Sequence, residues 1–177
     1  TCALPIYPIP RVDDALHALQ GARYISTFDV TWGYWNVKIE ESSIPKTAFI
    51  TPDGPYEFTQ MSFGLTNAPS TFQRLMDTVL AGVKWINCLV YLDDIVTFSP
   101  TFEEQIRDLD HVSRHIKAAG LKLQARKYTF CQEQTEYLGH IVTNDSRILM
   151  DPKKVEAIVN YVRRFAVVLG FGRLLPA

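Results

Sequence analysis

The chain has 177 residues, 47% hydrophobic and 21% charged, with a formal net charge of −1; this excludes a disordered or strongly charged tail protein and is enough for one substantial core. Its three cysteines, Cys2, Cys88 and Cys131, are widely separated and odd in number, which argues against a disulfide framework or zinc site and for free thiols in a reducing compartment. No apolar run is long enough to span a bilayer, and the opening TCALPIYPIP lacks the features of a signal peptide, so the expected location is intracellular, in the cytoplasm, with no membrane partner.

Pro5, Pro8 and Pro10 keep the first ten residues extended. From Arg11, the spacing of Val12, Ala15, Leu16 and Leu19 predicts a helix that Gly21 stops. Residues 24–30 read as a strand carrying Asp29 near its end. An acid there is reachable by a ligand, although a lone Asp also serves as a turn former or helix cap. The aromatic cluster Trp32-Gly33-Tyr34-Trp35 follows, and such clusters commonly pack cores. Trp35, Val37 and Ile39 alternate with Asn36, Lys38 and Glu40, which predicts a half-buried strand. Residues 46–51 and 56–59 read as strands of a hairpin around Pro52-Asp53-Gly54-Pro55. A loop over 60–67 leads to a helix over 68–80, with Asn67 as cap, Pro69 in the first turn and an apolar stripe of Phe72, Leu75, Met76, Val79 and Leu80.

Between residues 87 and 99 two adjacent acids, Asp93 and Asp94, interrupt a run of strand formers. Two short strands are expected, joined at Leu92-Asp93, although neither residue is the Gly or Asn usual in a tight turn. Like charges placed among apolar strands call for a neutralising cation, and a divalent metal is one solution. A solvent-exposed tip with two ordinary acids is the other reading. Thr101-Phe102-Glu103-Glu104 has the form of a capping box, and Ile106, Leu109, Val112 and Ile116 continue a long helix to Gly120. The basic residues Arg107, Arg114, Lys117, Lys122, Arg126 and Lys127 thicken here, mostly as solvated helix faces. Residues 121–130 and 136–143 read as strands, the second containing Leu138-Gly139-His140, and Asp151-Pro152 opens a last helix. Beyond Tyr161 no period is visible. Strands and helices mix without regular βαβ alternation, so the fold class is α+β.

These stretches together resemble the reverse transcriptases of gypsy-type long-terminal-repeat retrotransposons. The resemblance is carried by YPIPRVDDALHAL, FDVTWGYWNVKI, PKTAF, MSFGLTNAPSTFQRLMD, VYLDDIVTFS, HIKAAGLKLQARKYTFC, EYLGHIVT and DPKKVEAI, in that order. It implies a polymerase palm-like antiparallel sheet backed by helices, with a partial fingers lobe, over residues 1–160. The implied activity is RNA-directed DNA polymerisation: deoxynucleotides are added to a primer 3′-hydroxyl by two-metal phosphoryl transfer. Asp29, Asp93 and Asp94 match the catalytic positions, although 64 residues separate the first from the pair. Asp29, Asp93 and the Val30 carbonyl would hold two magnesium ions, with manganese as a substitute. Tyr34 matches the ring placed under the nucleotide sugar, where it would disfavour a 2′-hydroxyl. Phe63, Gly64 and Pro69 match the loop lining the nucleotide pocket. Tyr91, Leu92, Leu138 and Gly139 match positions that touch primer or template. The implied partners are an RNA or DNA template, a DNA or RNA primer and deoxynucleotide triphosphates.

The sequence departs from the family pattern in places. The first ten residues do not match the basic fingers segment that holds the triphosphate, Ser62 stands where a proline is usual, and Thr31-Trp32 and Trp35-Asn36 replace more typical residues. Residues 161–177 form an unfamiliar tail in place of a thumb, connection and ribonuclease H region. The alternative function is therefore a truncated, inactive remnant that at most binds nucleic acid. A metal-binding α+β module without polymerase function is the third reading, and it leaves the ordered motifs unexplained.

Overall fold

The computed structural model describes residues 7–124, 128–144 and 147–168, apart from the side chains of 153 and 162–168. Cys2, Pro5, Arg126, Lys127 and the tail from residue 169 lie outside the described residues. Helix α1 is Val12–Ala18, and strand β1 is Tyr24–Asp29. The sequence over Gly33–Asn36 winds into a 3-10 turn, not the start of a strand. The cause is local: Asn36 Nδ2 donates to the Thr31 and Trp32 carbonyls at 3.0 Å each, and Trp32 turns the chain at φ 54°. The strand expected from the alternation at Trp35, Val37 and Ile39 is thereby reduced to one antiparallel bridge, between Lys38 and Gln60.

A second 3-10 segment, Glu41–Thr47, takes up the start of the strand expected at 46–51. What remains is a short hairpin of β2, Phe49–Thr51, and β3, Gly54–Tyr56, so its second strand begins earlier than expected and ends at Tyr56. Its turn is held by Thr51, whose hydroxyl accepts from the Asp53 amide and donates to the Gly54 carbonyl. Helix α2, Ala68–Val79, begins with Pro69 in its first turn. The expected side-chain cap at Asn67 is not made: its backbone is already helical at φ −92°, ψ −1°, whereas a capping side chain needs an extended backbone behind it.

The main hairpin is β4, Cys88–Tyr91, and β5, Asp94–Ser99. These join β1 and β6, Thr129–Gln132, in a four-stranded antiparallel sheet of order β4-β5-β1-β6. Of the strand expected over 121–130, the described residues before β6 contribute a bridge from Leu123 to Val30. Helix α3, Phe102–Ala118, follows β5, with Thr101 Oγ1 accepting from the Glu104 amide as the capping box requires.

The single strand expected over 136–143 is two strands. These are β7, Gln134–Tyr137, and β8, His140–Thr143, turning at Leu138 (φ 49°) and Gly139 (φ 76°). A further strand, β9, Ile148–Met150, completes this three-stranded sheet. Helix α4, Pro152–Val168, continues past Tyr161 into the stretch read as aperiodic.

The pleat explains how the layers stack, because successive side chains of a strand face opposite ways. Cys88, Val90, Ile95 and Phe28 join Phe72 and Met76 of α2, Leu80 just beyond it, and Val112 and Ile116 of α3 in one core. Leu89, Val96 and Ile25 join Ala15 and Leu16 of α1 and Tyr137 and Val142 of the smaller sheet in another. Each fully buried Phe, Leu, Ile or Met contributes about 1.5–3 kcal/mol. The sheet is thus covered on both faces, and its open end is where β1 stops and the β4–β5 turn begins. Burial also pushes the Cys88 thiol up to about 12, which keeps it a neutral core group.

Candidate active site

Asp29 ends β1 and stands in register with Asp94 at the start of β5. Beyond that pair, the Val30 amide donates to the Asp93 carbonyl at 3.2 Å. Two ladder positions and one hydrogen bond therefore bring three acids, separated in sequence, to one end of an apolar sheet. Leu92 makes the turn possible by adopting φ 53°, a conformation uncommon for a branched apolar residue.

The acids face different neighbours. Asp29 and Asp94 line a cleft of about 580 Å³ together with Glu136, Tyr137, Leu138 and Gly139 of the β7–β8 turn. Asp93 Oδ1 is a buried oxygen beside Gly33, where a Cβ would meet both it and the Phe72 ring. Tyr34 is nearly buried, edge-on to Phe72 at 5.6 Å and tilted against Phe63 at 5.1 Å. Its hydroxyl is held above the usual tyrosine range by burial and then by the negative charge of Asp93. The Tyr137 phenol is likewise pushed upward, chiefly by burial and next by Asp94.

Each residue singled out in the sequence has a defined place. Asp29, Val30, Tyr34, Tyr91, Leu92, Asp93 and Asp94 gather at the sheet end. Leu138 and Gly139 face Asp29 and Asp94 across the cleft. Phe63 is 61% exposed and joins the group through Tyr34, Gly64 turns the loop at φ 90°, and Pro69 sits in the first turn of α2. Two further residues were not singled out. A Cβ on Gly33 would run into Asp93 Oδ1 and lie 2.9 Å from Phe72 Cζ. Gln73 is fully buried and bonds the Leu92 amide at 2.8 Å. Its signal was present: a polar residue three and seven positions before Met76 and Leu80 shares their apolar face.

The donor chemistry fits a hard cation, since carboxylate oxygens are the ligands magnesium and manganese prefer. Among the described residues no three His, Cys, Asp or Glu side chains converge closely enough to chelate an ion by themselves. A magnesium site does not require them to, because that ion keeps waters and takes substrate phosphate oxygens beside one or two carboxylates.

A twisted antiparallel sheet with acids at one end and helices across its faces is the architecture of a polymerase palm. Residues 3–142 match the family described as reverse transcriptase (RNA-dependent DNA polymerase). The retrovirus-related Pol polyprotein from transposon 297 of Drosophila melanogaster is 44% identical over 155 residues, 88% of this chain and 14% of that protein. The corresponding polyprotein from transposon opus is 43% identical over 86% of this chain and 15% of its own length. An enzymatic polyprotein of Soybean chlorotic mottle virus is 36% identical over 88% of this chain and 22% of its length. Among solved structures, a foamy viral protease-reverse transcriptase in complex with double-stranded DNA superposes with a TM-score of 0.82 at 24% identity, covering 90% of this chain and 28% of that one. The chain belongs to the reverse transcriptase family. Its similarity to Drosophila transposon polyproteins, gypsy among them at 37% identity, bears out the gypsy-type resemblance of the motifs. The chain spans about a seventh of the length of the first two relatives.

Proposed function

We propose that this chain is the portion of an RNA-directed DNA polymerase that joins deoxynucleotides to a primer 3′-hydroxyl on an RNA or DNA template. The reading rests above all on the register of Asp29 with Asp94 and the hydrogen bond from Val30 to Asp93. Three acids at the end of an apolar sheet repel one another, a cost that a bound cation offsets. Asp29 and Asp93, with the Val30 carbonyl, would hold magnesium or manganese. Bound there, the metal supplies positive charge for the phosphoryl group and lowers the pKa of the attacking hydroxyl.

The other groups position the reactants. Asp94 shares its cleft with Leu138 and Gly139, which suits a primer end lying between the β4–β5 and β7–β8 turns. Tyr34, braced by Phe72 and Phe63, offers a fixed ring under the nucleotide sugar that a 2′-hydroxyl would strike. Gly64 turns the loop that follows Phe63, and Pro69 opens the first turn of α2; by similarity both would line the nucleotide pocket. A solved foamy viral protease-reverse transcriptase holds an RNA/DNA hybrid, which supports the same class of partner for this chain.

The test is extension of a DNA primer on an RNA template with magnesium or manganese. Asp93→Ala and Asp29→Ala should each lower the rate at least about 100-fold, the scale of losing a group that stabilises transition-state charge. Extension that survives either substitution removes the assignment. Hybrid binding with no extension by the unaltered chain is the result expected of the inactive remnant.

A further inference from the structure

We infer that Gln73 is a positioning residue for the acidic turn: its side-chain amide fixes the Leu92 backbone, and through it Asp93, while Asp77 fixes the amide. The inference rests on the polymerase reading for its catalytic consequence, and on the hydrogen bonds alone for its structural part.

Gln73 lies on α2 with no exposed surface, so its amide must find its partners inside the protein. It finds them at the turn. Oε1 accepts from the Leu92 amide at 2.8 Å, and Nε2 donates to the Val90 carbonyl at 3.2 Å and to Asp77 Oδ1 at 2.8 Å. Leu92 falls between the paired residues Tyr91 and Asp94, outside the strand ladder, so Gln73 Oε1 stands where a strand carbonyl would be. A leucine at φ 53° persists only where its surroundings over-determine it.

The direction of the amide follows from its neighbours. Asp77 Oδ1 also accepts from Lys84 Nζ at 2.5 Å, and Oδ2 accepts from the Tyr7 hydroxyl at 2.6 Å. A reversed Gln73 would set its oxygen against that carboxylate and the Val90 carbonyl, and its NH₂ against the Leu92 amide, three repulsions in place of three bonds. The Asp77 and Lys84 side chains are only 18% and 13% exposed, so salt screens this anchor weakly. From Leu92 the constraint passes to Asp93, whose carbonyl is bonded to Val30 of β1. Rotation of the Leu92 peptide would carry Asp93 away from Asp29.

The experiment measures amide hydrogen exchange and manganese binding, the latter by electron paramagnetic resonance, on the 177-residue chain. In the unaltered protein the Leu92 amide should exchange at least about 100-fold more slowly than in an unstructured chain. Exchange at the unstructured rate overturns the inference without any variant, so the test survives a variant that fails to fold. Gln73→Met, which keeps volume and removes the amide, should release Leu92 while β1 and β5 stay protected, and should weaken manganese binding about tenfold. Leu92 protection equal to the unaltered chain overturns the positioning of the turn. Loss of that protection with manganese affinity intact overturns the step from Leu92 to Asp93. Asp93→Asn separates the two readings: if it leaves manganese binding unchanged, the metal assignment fails, while Leu92 exchange still decides what Gln73 does.

Discussion

Gly33 is a glycine for reasons of space. Asp93 Oδ1 and the Phe72 ring occupy the volume that a Cβ would need. In Gly33→Ala the Phe72 ring, fully buried in α2, and the acidic turn cannot both keep their places. Overpacking of this kind costs about 1–3 kcal/mol, which denaturant unfolding would register. Primer extension should fall further than that loss accounts for, because the displaced group includes Asp93. A variant that is destabilised yet extends primers at the original rate would show that the methyl is absorbed by Phe72 alone. The sequence offered Trp32-Gly33-Tyr34-Trp35 as an aromatic cluster and left the glycine unexplained. Its reason lies 60 residues further along the chain, in a contact that no local pattern encodes.

Elements were legible where their signals are local. Helix α3 was complete in the sequence because a capping box, an apolar period and a terminal glycine coincide, and Gly120 does turn at φ 72°. Thr101→Ala removes the bond from the Glu104 amide and should cost about 1 kcal/mol. Equilibrium unfolding checks this, and an unchanged midpoint would mean that packing of Val112 and Ile116 holds the helix start unaided. The β4–β5 hairpin was legible too, despite its unusual turn residues, because strand formers on both sides leave only Leu92-Asp93 to reverse the chain. Elements held by distant partners were read less well. The alternation at Trp35, Val37 and Ile39 is real, but Asn36 captures the preceding carbonyls and a turn wins over a strand. At residues 136–143 the alternation reads as one strand although the chain reverses at Leu138-Gly139; the signals for that reversal were Gly139 and the family's strand turn, while a leucine at φ 49° carries none. The carboxylates themselves were legible as types and as family positions. Their assembly on neighbouring strands was legible only through the family resemblance, because it depends on the β1–β5 register, which no local pattern encodes.

Across the whole molecule, a net charge of −1 conceals a separation of charge. Acids collect at the sheet end, whereas Lys38, Lys46 and Arg74, together with the acid Glu40, line a groove of about 710 Å³ between the residue 37–47 segment and the start of α2. Of the basic residues that stand out in the sequence, Arg114 on α3 is already paired with Asp110 at 2.8 Å. If the proposed nucleic-acid partner is held through the groove, its phosphates displace counterions at about three sites. The logarithm of the affinity for an RNA/DNA hybrid should then fall with the logarithm of salt concentration at a slope of about −2 to −3. Lys46→Ala should reduce that slope by about one and weaken binding by a similar factor for every sequence, because phosphate contacts carry no base information. Filter binding or fluorescence anisotropy over a salt series measures both quantities. A slope near zero, or one that Lys46→Ala leaves unchanged, would place the electrostatic contact elsewhere on the chain and leave the groove without a part in binding.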